Sequence, residues 1–158
     1  IEKLEPALWH RLVLTQQVRD EDMARVSAIY DRLKINAELA PFFSDLPARL
    51  ASNHLVISRS GAGTVAELGA IGRPSILVPL PGAIDQDQFA NAGVLAAVNG
   101  AIRIVQSDFT PDRLASDISS LAAEPSRLAA MASGAHSIGK LDAAERLADL
   151  VMKVAGIG

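Results

Sequence analysis

Between Leu55 and Gly72 the chain passes from an apolar run into a glycine-containing turn, and from there into a helical pattern, with no linker. Leu55-Val56-Ile57 reads as a buried strand, Ser58 to Gly63 as a tight turn, and Thr64 to Ile71 as a helix ended by Gly72. A strand that feeds directly into a helix does not pair with its sequence neighbour as a hairpin; it calls for a crossover and a parallel partner. The same alternation runs along the chain. Leu12-Val13-Leu14, within Leu8 to Gln17, is strand-like, and from Asp20 the residues Met23, Val26, Ile29 and Leu33 mark one helical face. Ile35 to Phe43 reads as a second strand, followed by a short helix around Leu46 to Ala51.

Beyond the turn, Ile76-Leu77-Val78 is another apolar strand, and Pro79, Pro81 and Gly82 make an irregular loop. Asp85 to Val98 is helical in pattern, and Ile102-Arg103-Ile104-Val105 forms a last strand. Thr110 is a natural N-cap with Pro111 at the first helical position, and Leu114, Ile118 and Leu121 give that helix an apolar face. Pro125 breaks it, and a tail helix takes up the chain from about Asp142 to Val154. Short strands alternating with helices predict one α/β domain with an open, Rossmann-like parallel sheet. Ligands of such sheets sit beyond the carboxyl ends of the strands. Three segments fall there: Phe42 to Asp45, Ser58 to Gly63, and Pro79 to Gln88.

Composition narrows the function. The 158 residues are a usual size for one domain, 49% of them are apolar, and there is no cysteine, which removes disulfides, thiolate metal sites and cysteine nucleophiles. His10, His54 and His136 have no metal-ligand spacing, so no metal and no cofactor is expected, and the histidines read as structural or exposed. A net charge of −3 argues against a nucleic-acid partner. No apolar run approaches the roughly 20 residues of a membrane-spanning helix. The chain opens at Ile1 rather than Met, and Ile1 to Leu8 reads like the end of a helix, which suggests a piece of something longer.

Three motifs carry chemistry. In Ser58-Arg59-Ser60-Gly61-Ala62-Gly63-Thr64-Val65-Ala66-Glu67, small residues let backbone approach a ligand, and the opening helix turns free N–H groups and its positive end toward a diphosphate. Glu67, read on the first helical turn, suits the two hydroxyls of a ribose; the plain alternative is a tight turn with a dipole-favoured glutamate. The same residues satisfy a G-x-G-x-x-A dinucleotide fingerprint. That reading is disfavoured, because it also wants an acid at the end of the next strand, and Asp85 lies past it. Asp85-Gln86-Asp87-Gln88 with Asn91 gathers donors and acceptors suited to sugar hydroxyls, Gln88 and Asn91 sharing a helical face; otherwise it is a solvated helix start. Pro41-Phe42-Phe43-Ser44-Asp45 places two aromatics at a strand end, suited either to setting one ring or a backbone edge against a nucleobase or to packing under the sheet, with packing favoured for one of them, and Gln16 and Gln17 lie on the same edge. No feature singles out a catalytic pair or triad.

With these residues in hand, the chain resembles the C-terminal, donor-binding domain of the MurG family of UDP-N-acetylglucosamine transferases. The likeness runs from Gln16-Gln17 through Ala40 to Leu46, Arg59 to Glu67, Gly72 to Pro79 and Asp85 to Ala92 into the closing helices. It implies the C-terminal half of a GT-B glycosyltransferase that moves N-acetylglucosamine from UDP-N-acetylglucosamine to a lipid-linked muramyl-pentapeptide at the inner face of the bacterial membrane. It further implies that Glu67 holds the ribose, Phe43 lies against the uracil, and Ser60, Gly61, Ala62 and Thr64 line the diphosphate. Asp87 and Gln88 would meet the sugar, with Gln16 or Gln17 nearby.

The chain departs from the family in having Asp87 where Gln or His is usual, a small Gly63, and no histidine between Pro79 and Asp85. The acceptor-binding N-terminal domain, the Gly-Gly-Ser phosphate loop and the first, central strand of this half are absent. Leu12-Val13-Leu14 and Leu55-Val56-Ile57 are thus expected to lack a shared neighbour, and this chain alone to be inactive and not necessarily monomeric. A separately encoded UDP-sugar-binding subunit is the main alternative, and a UDP-sugar epimerase a more distant one.

Overall fold

The computed structural model describes residues 1–82 and 87–156. It bears out the alternation of strands and helices. After a short α1 (Pro6–Trp9), β1 (Val13–Gln17) leads through α2 (Asp20–Leu33) to β2 (Asn36–Ala40), and α3 (Leu46–Ser52) leads to β3 (Val56–Ser58). Then come α4 (Ala62–Ile71), β4 (Ser75–Leu77), α5 (Asp87–Ala97), β5 (Ala101–Arg103), α6 (Pro111–Ala123), α7 (Pro125–His136) and α8 (Ala143–Ala155).

Every pairing is parallel, but the strands form two sheets, β1-β2 and β3-β4-β5. Val13 to Gln17 stand opposite Asn36 to Ala40, while Val56 to Ser58 stand opposite Ser75 to Leu77, which in turn face Ala101 to Arg103. Leu12 and Leu55, each immediately before β1 or β3, both pack on the cluster of Leu4, Ala115 and Ile118. The two strands therefore start from one apolar seat, yet no ladder joins them among the described residues. Val13 and Ile57, on those two edge strands, are 68% and 42% exposed.

The three-stranded sheet is covered by α4, α5 and α7 around Leu68, Leu77 and Leu95, which are fully buried. Each such side chain contributes about 1.5–3 kcal/mol relative to exposure. The two-stranded sheet rests on α2 through Tyr30, Leu33 and Ile35.

Several expectations are corrected. Ile1 to Leu8, read as the end of a helix, is helical only from Pro6, within Pro6–Trp9; Ile1 to Glu5 are non-helical, and Leu4 is core. The second strand stops at Ala40, since Pro41 has no N–H to continue a ladder. Pro125 does end α6, but it also opens α7 at its first position, where a missing N–H and a preset φ do no harm. The periodic signal of α7 is weak because its contacts are made by glycine and alanine. A Cβ on Gly134 would lie 2.1 Å from the Val98 carbonyl oxygen, and one on Gly100 would lie 2.7 Å from Ala135 Cα.

Candidate functional site

The turn after β3 is built from inside. Ser60 is fully buried, and its Oγ donates to the Gln88 carbonyl oxygen at 2.8 Å. Asn91 Nδ2 donates back to the Ser60 carbonyl oxygen at 3.3 Å, and the Leu80 N–H donates to Gln88 Oε1 at 3.0 Å. One network thus joins the turn, the Pro79–Gly82 loop and the start of α5. Arg59 adds to it by donating to the carbonyl oxygens of Val78 (3.1 Å) and Pro79 (3.3 Å).

α4 begins at Ala62, two residues earlier than the pattern indicates, because Gly61 is extended (φ −59°, ψ 151°) and its carbonyl already accepts from the Val65 N–H at 3.0 Å. Glu67 therefore sits on the second turn rather than the first, exposed and outside every ion pair found among the described residues. Among the described residues no side chain caps α4, so the first-turn N–H groups of Ala62, Gly63 and Thr64 lack a capping partner, which is the local chemistry an anion needs. A Cβ at Gly61 or Gly63 would meet nothing within 4 Å.

At the start of α5, Asp87 Oδ1 accepts from the Gln88 N–H at 2.7 Å. Gln88 Oε1 and Asn91 Nδ2 are engaged within the chain, while Gln88 Nε2 and Asn91 Oδ1 make no hydrogen bond among the described residues. The helix begins at Asp87; Asp85 and Gln86, expected to belong to this cluster, lie outside the described residues. Arg103 closes the far side, its guanidinium 3.8 Å from the Phe89 ring centroid and donating to the Phe89 carbonyl oxygen at 3.2 Å.

The third segment belongs to the two-stranded sheet. Gln17 Nε2 donates to the Pro41 carbonyl oxygen at 2.9 Å, and Gln16 Oε1 accepts from the Tyr30 hydroxyl, so both glutamines are engaged within the chain. Burial pushes the Tyr30 phenol up from its ordinary pKa. Phe43 is half-buried with Arg49 over its ring, 4.2 Å from the centroid, while Phe42 is 74% exposed. Arg49 also donates to Asp45 Oδ1 at 2.7 Å and Glu38 Oε2 at 2.6 Å. Those hydrogen bonds hold both carboxyls below the usual carboxylate range and raise the guanidinium further.

A cavity of about 310 Å³ lined by Ile57, Ser58, Arg59, Val78, Gln106 and Phe109 lies beside the turn. Val56 and Leu77 pack toward α4, so Ile57 and Val78, one residue on, face the opposite side of the sheet. Among the described residues no group of histidines, aspartates and glutamates could hold a metal ion.

Residues 1–147 match the glycosyltransferase family 28 C-terminal domain. The chain belongs to that family. As a family 28 C-terminal domain it is 82% identical over 155 residues to the UDP-N-acetylglucosamine–N-acetylmuramyl-(pentapeptide) pyrophosphoryl-undecaprenol N-acetylglucosamine transferase of Nitrobacter hamburgensis, covering 98% of this chain and 42% of that protein. It is 83% identical over 157 residues to the enzyme of the same name from Bradyrhizobium sp., covering 99% and 43%. The chain thus spans about two fifths of these relatives' length. The crystal structure of Acinetobacter baumannii MurG superposes with a TM-score of 0.81 at 30% identity, over 94% of this chain and 46% of that one. The glycosyltransferase VinC, solved in complex with dTDP, superposes at 0.69 and 27% identity, over 92% and 35%. The fold is the Rossmann-like C-terminal half of a GT-B enzyme.

Within this family 28 domain, Ser60, Gln88 and Asn91 are in direct contact, Gly61, Ala62 and Thr64 form the mouth of α4, and Gln16, Gln17 and Phe43 lie on the other sheet's edge. Sequence reasoning passed over Arg49, Arg59 and Arg103. Arg49 carries a local signal, a carboxylate four residues earlier and a phenylalanine six earlier; the partners of Arg59 and Arg103 are distant in sequence and leave none.

Proposed function

We propose that this chain is the UDP-sugar-binding part of a transferase that moves N-acetylglucosamine from UDP-N-acetylglucosamine to a lipid-linked muramyl-pentapeptide in peptidoglycan synthesis. The observation that carries the reading is the Ser60–Gln88–Asn91 network, built on the buried Ser60, which makes the uncapped mouth of α4 and the polar start of α5 one unit. An anion-binding turn and a sugar-binding helix start held together suit a nucleoside diphosphate sugar, and the relatives' names supply the sugar and acceptor. VinC, of similar fold, was solved with a nucleoside diphosphate, which supports the diphosphate assignment.

In this reading the α4 N–H groups with Gly61, Ala62 and Thr64 take the diphosphate, and Glu67 accepts from the ribose hydroxyls. Asp87, Gln88 Nε2 and Asn91 Oδ1 meet the sugar. Phe42 offers the open ring for the nucleobase, while Phe43, the residue given that part by the family likeness, contributes through its backbone because Arg49 covers its ring. Gln16 and Gln17 act as supports. The acceptor is taken by the rest of a longer protein, and binding is peripheral at the inner leaflet; no described helix is long and apolar enough to cross a membrane. Since the chain spans about two fifths of its relatives, a UDP-sugar-presenting subunit of a split enzyme is the second reading.

Calorimetric titration of UDP, UDP-N-acetylglucosamine and dTDP onto this chain, beside Glu67→Ala, tests the proposal. Both uridine ligands are expected to bind, and the variant to bind about tenfold to a hundredfold more weakly, as expected for a lost charge-assisted hydrogen bond. Absence of binding by either uridine ligand overturns the reading, and an unchanged affinity in the variant removes Glu67 from the ribose.

A further inference from the structure

We propose that Arg49 is a positioning residue for nucleobase selection, holding the Pro41–Asp45 loop in its ligand-ready shape before any nucleotide arrives. The inference rests on the nucleotide-binding reading above and extends it to a residue outside the ligand-contacting set.

The guanidinium binds three parts of the chain at once: Glu38 on β2, the Phe43 ring within the loop, and Asp45 where the loop enters α3. A planar fork with several donors can do this and an ammonium cannot, because it presents two directed N–H bonds and a stacking face together. At its other end the loop is fixed by Gln17, which donates to the Pro41 carbonyl oxygen at 2.9 Å. The segment is therefore anchored at both ends, and Phe42, between the anchors, stands 74% exposed. A large aromatic ring left open on a fixed loop is suited to stacking on a flat ligand.

Asp45 supplies an independent sign of purpose. It occupies the N-cap position of α3, where an aspartate ordinarily accepts from an N–H of the helix's first turn, yet it makes no such capping bond. Its Oδ1 takes Arg49 Nε instead. The chain forgoes a helix cap for the clamp, which a residue serving α3 alone would not require. A loop ordered in advance binds more tightly because less freedom is lost on association. It also discriminates better, since a loop free to rearrange accommodates other bases.

The test is equilibrium titration of UDP, CDP, ADP and inorganic diphosphate onto wild type, Arg49→Ala, Arg49→Lys and Glu38→Gln, with a thermal melt of each. Wild type is expected to prefer UDP. Arg49→Ala is expected to lose roughly threefold to tenfold in UDP affinity, the scale of one or two side chains left to be ordered on binding. Its diphosphate affinity should hold, so the UDP-to-ADP ratio falls. Arg49→Lys should recover part of that ratio, since the cation remains without the fork. A purely structural Arg49 lowers all affinities alike or only the melting temperature, and an unchanged ratio in Arg49→Ala overturns the proposal. Should that variant not fold, Glu38→Gln, on the far side of the clamp, gives the same reading. Failure of wild type to bind any nucleotide overturns the functional reading as well; preference kept without the clamp overturns this inference alone.

Discussion

Ser60 shows how one small side chain can hold a site without touching what the site binds. It is fully buried, it donates to the Gln88 carbonyl oxygen, and its own carbonyl accepts from Asn91. Ser60→Ala removes a part-buried hydrogen bond to the Gln88 carbonyl, a loss of about 1–2 kcal/mol. For a domain of this size that is roughly 2–8 °C in melting temperature. The same change should weaken UDP-N-acetylglucosamine more than UDP, because it loosens the helix start that faces the sugar. A thermal melt and a paired titration check both, and an unshifted melt with equal loss for the two ligands would show that Ser60 is not the link. The sequence put Ser60 in an anion-friendly turn, where its hydroxyl could face a phosphate. That it turns inward to a helix 28 residues later depends on packing across the sheet, which no local pattern carries. Phe42 and Phe43 repeat the lesson: the sequence offered two rings for one task, and only the place of Arg49 shows which is covered.

At the scale of elements, the two ends of α4 invite opposite substitutions. Gly72 has a positive φ of 64° at the C-cap, and an added Cβ would lie 3.0 Å from His136 Cβ. Gly72→Ala should therefore lower stability by about 1 kcal/mol or more. Gly63 lies in the first turn, outside the positive-φ set, with open space where a Cβ would go. Gly63→Ala should raise stability by about 0.4–1 kcal/mol by restricting the unfolded chain. Urea unfolding of the two ligand-free variants measures both, and the same sign in both would refute the account. Strands, βα order and the Thr110 and Gly72 caps were legible because apolar runs, capping residues and glycines act locally. Thr110 Oγ1 does accept from the Arg113 N–H at 3.1 Å. The start of α4 and the whole of α7 were not, because small residues carry little periodic signal, although they allow the closest packing.

At the scale of the whole molecule, the open surfaces of this chain have consequences for its behaviour in solution. β1 and β3 each pair on one side only, and their exposed Val13 and Ile57 add apolar surface to backbone groups without ladder partners. α8 adds a second surface: Leu147, Leu150, Val151 and Val154 recur at helical spacing on one face, and all are exposed, Val154 to 81%. Unpaired edges invite strand addition, and contiguous apolar stripes invite association. The 158-residue chain is therefore expected to self-associate, its weight-average mass rising with concentration in sedimentation equilibrium. Val13→Lys should weaken association through the edge, since a lysine on an edge strand opposes further pairing, and Leu150→Glu should weaken association through the helix. The variant with the larger effect identifies the stronger contact. A strictly monomeric wild type at every concentration would mean that neither surface is sticky enough to matter, and the split between the two sheets would then be tolerated by the chain alone.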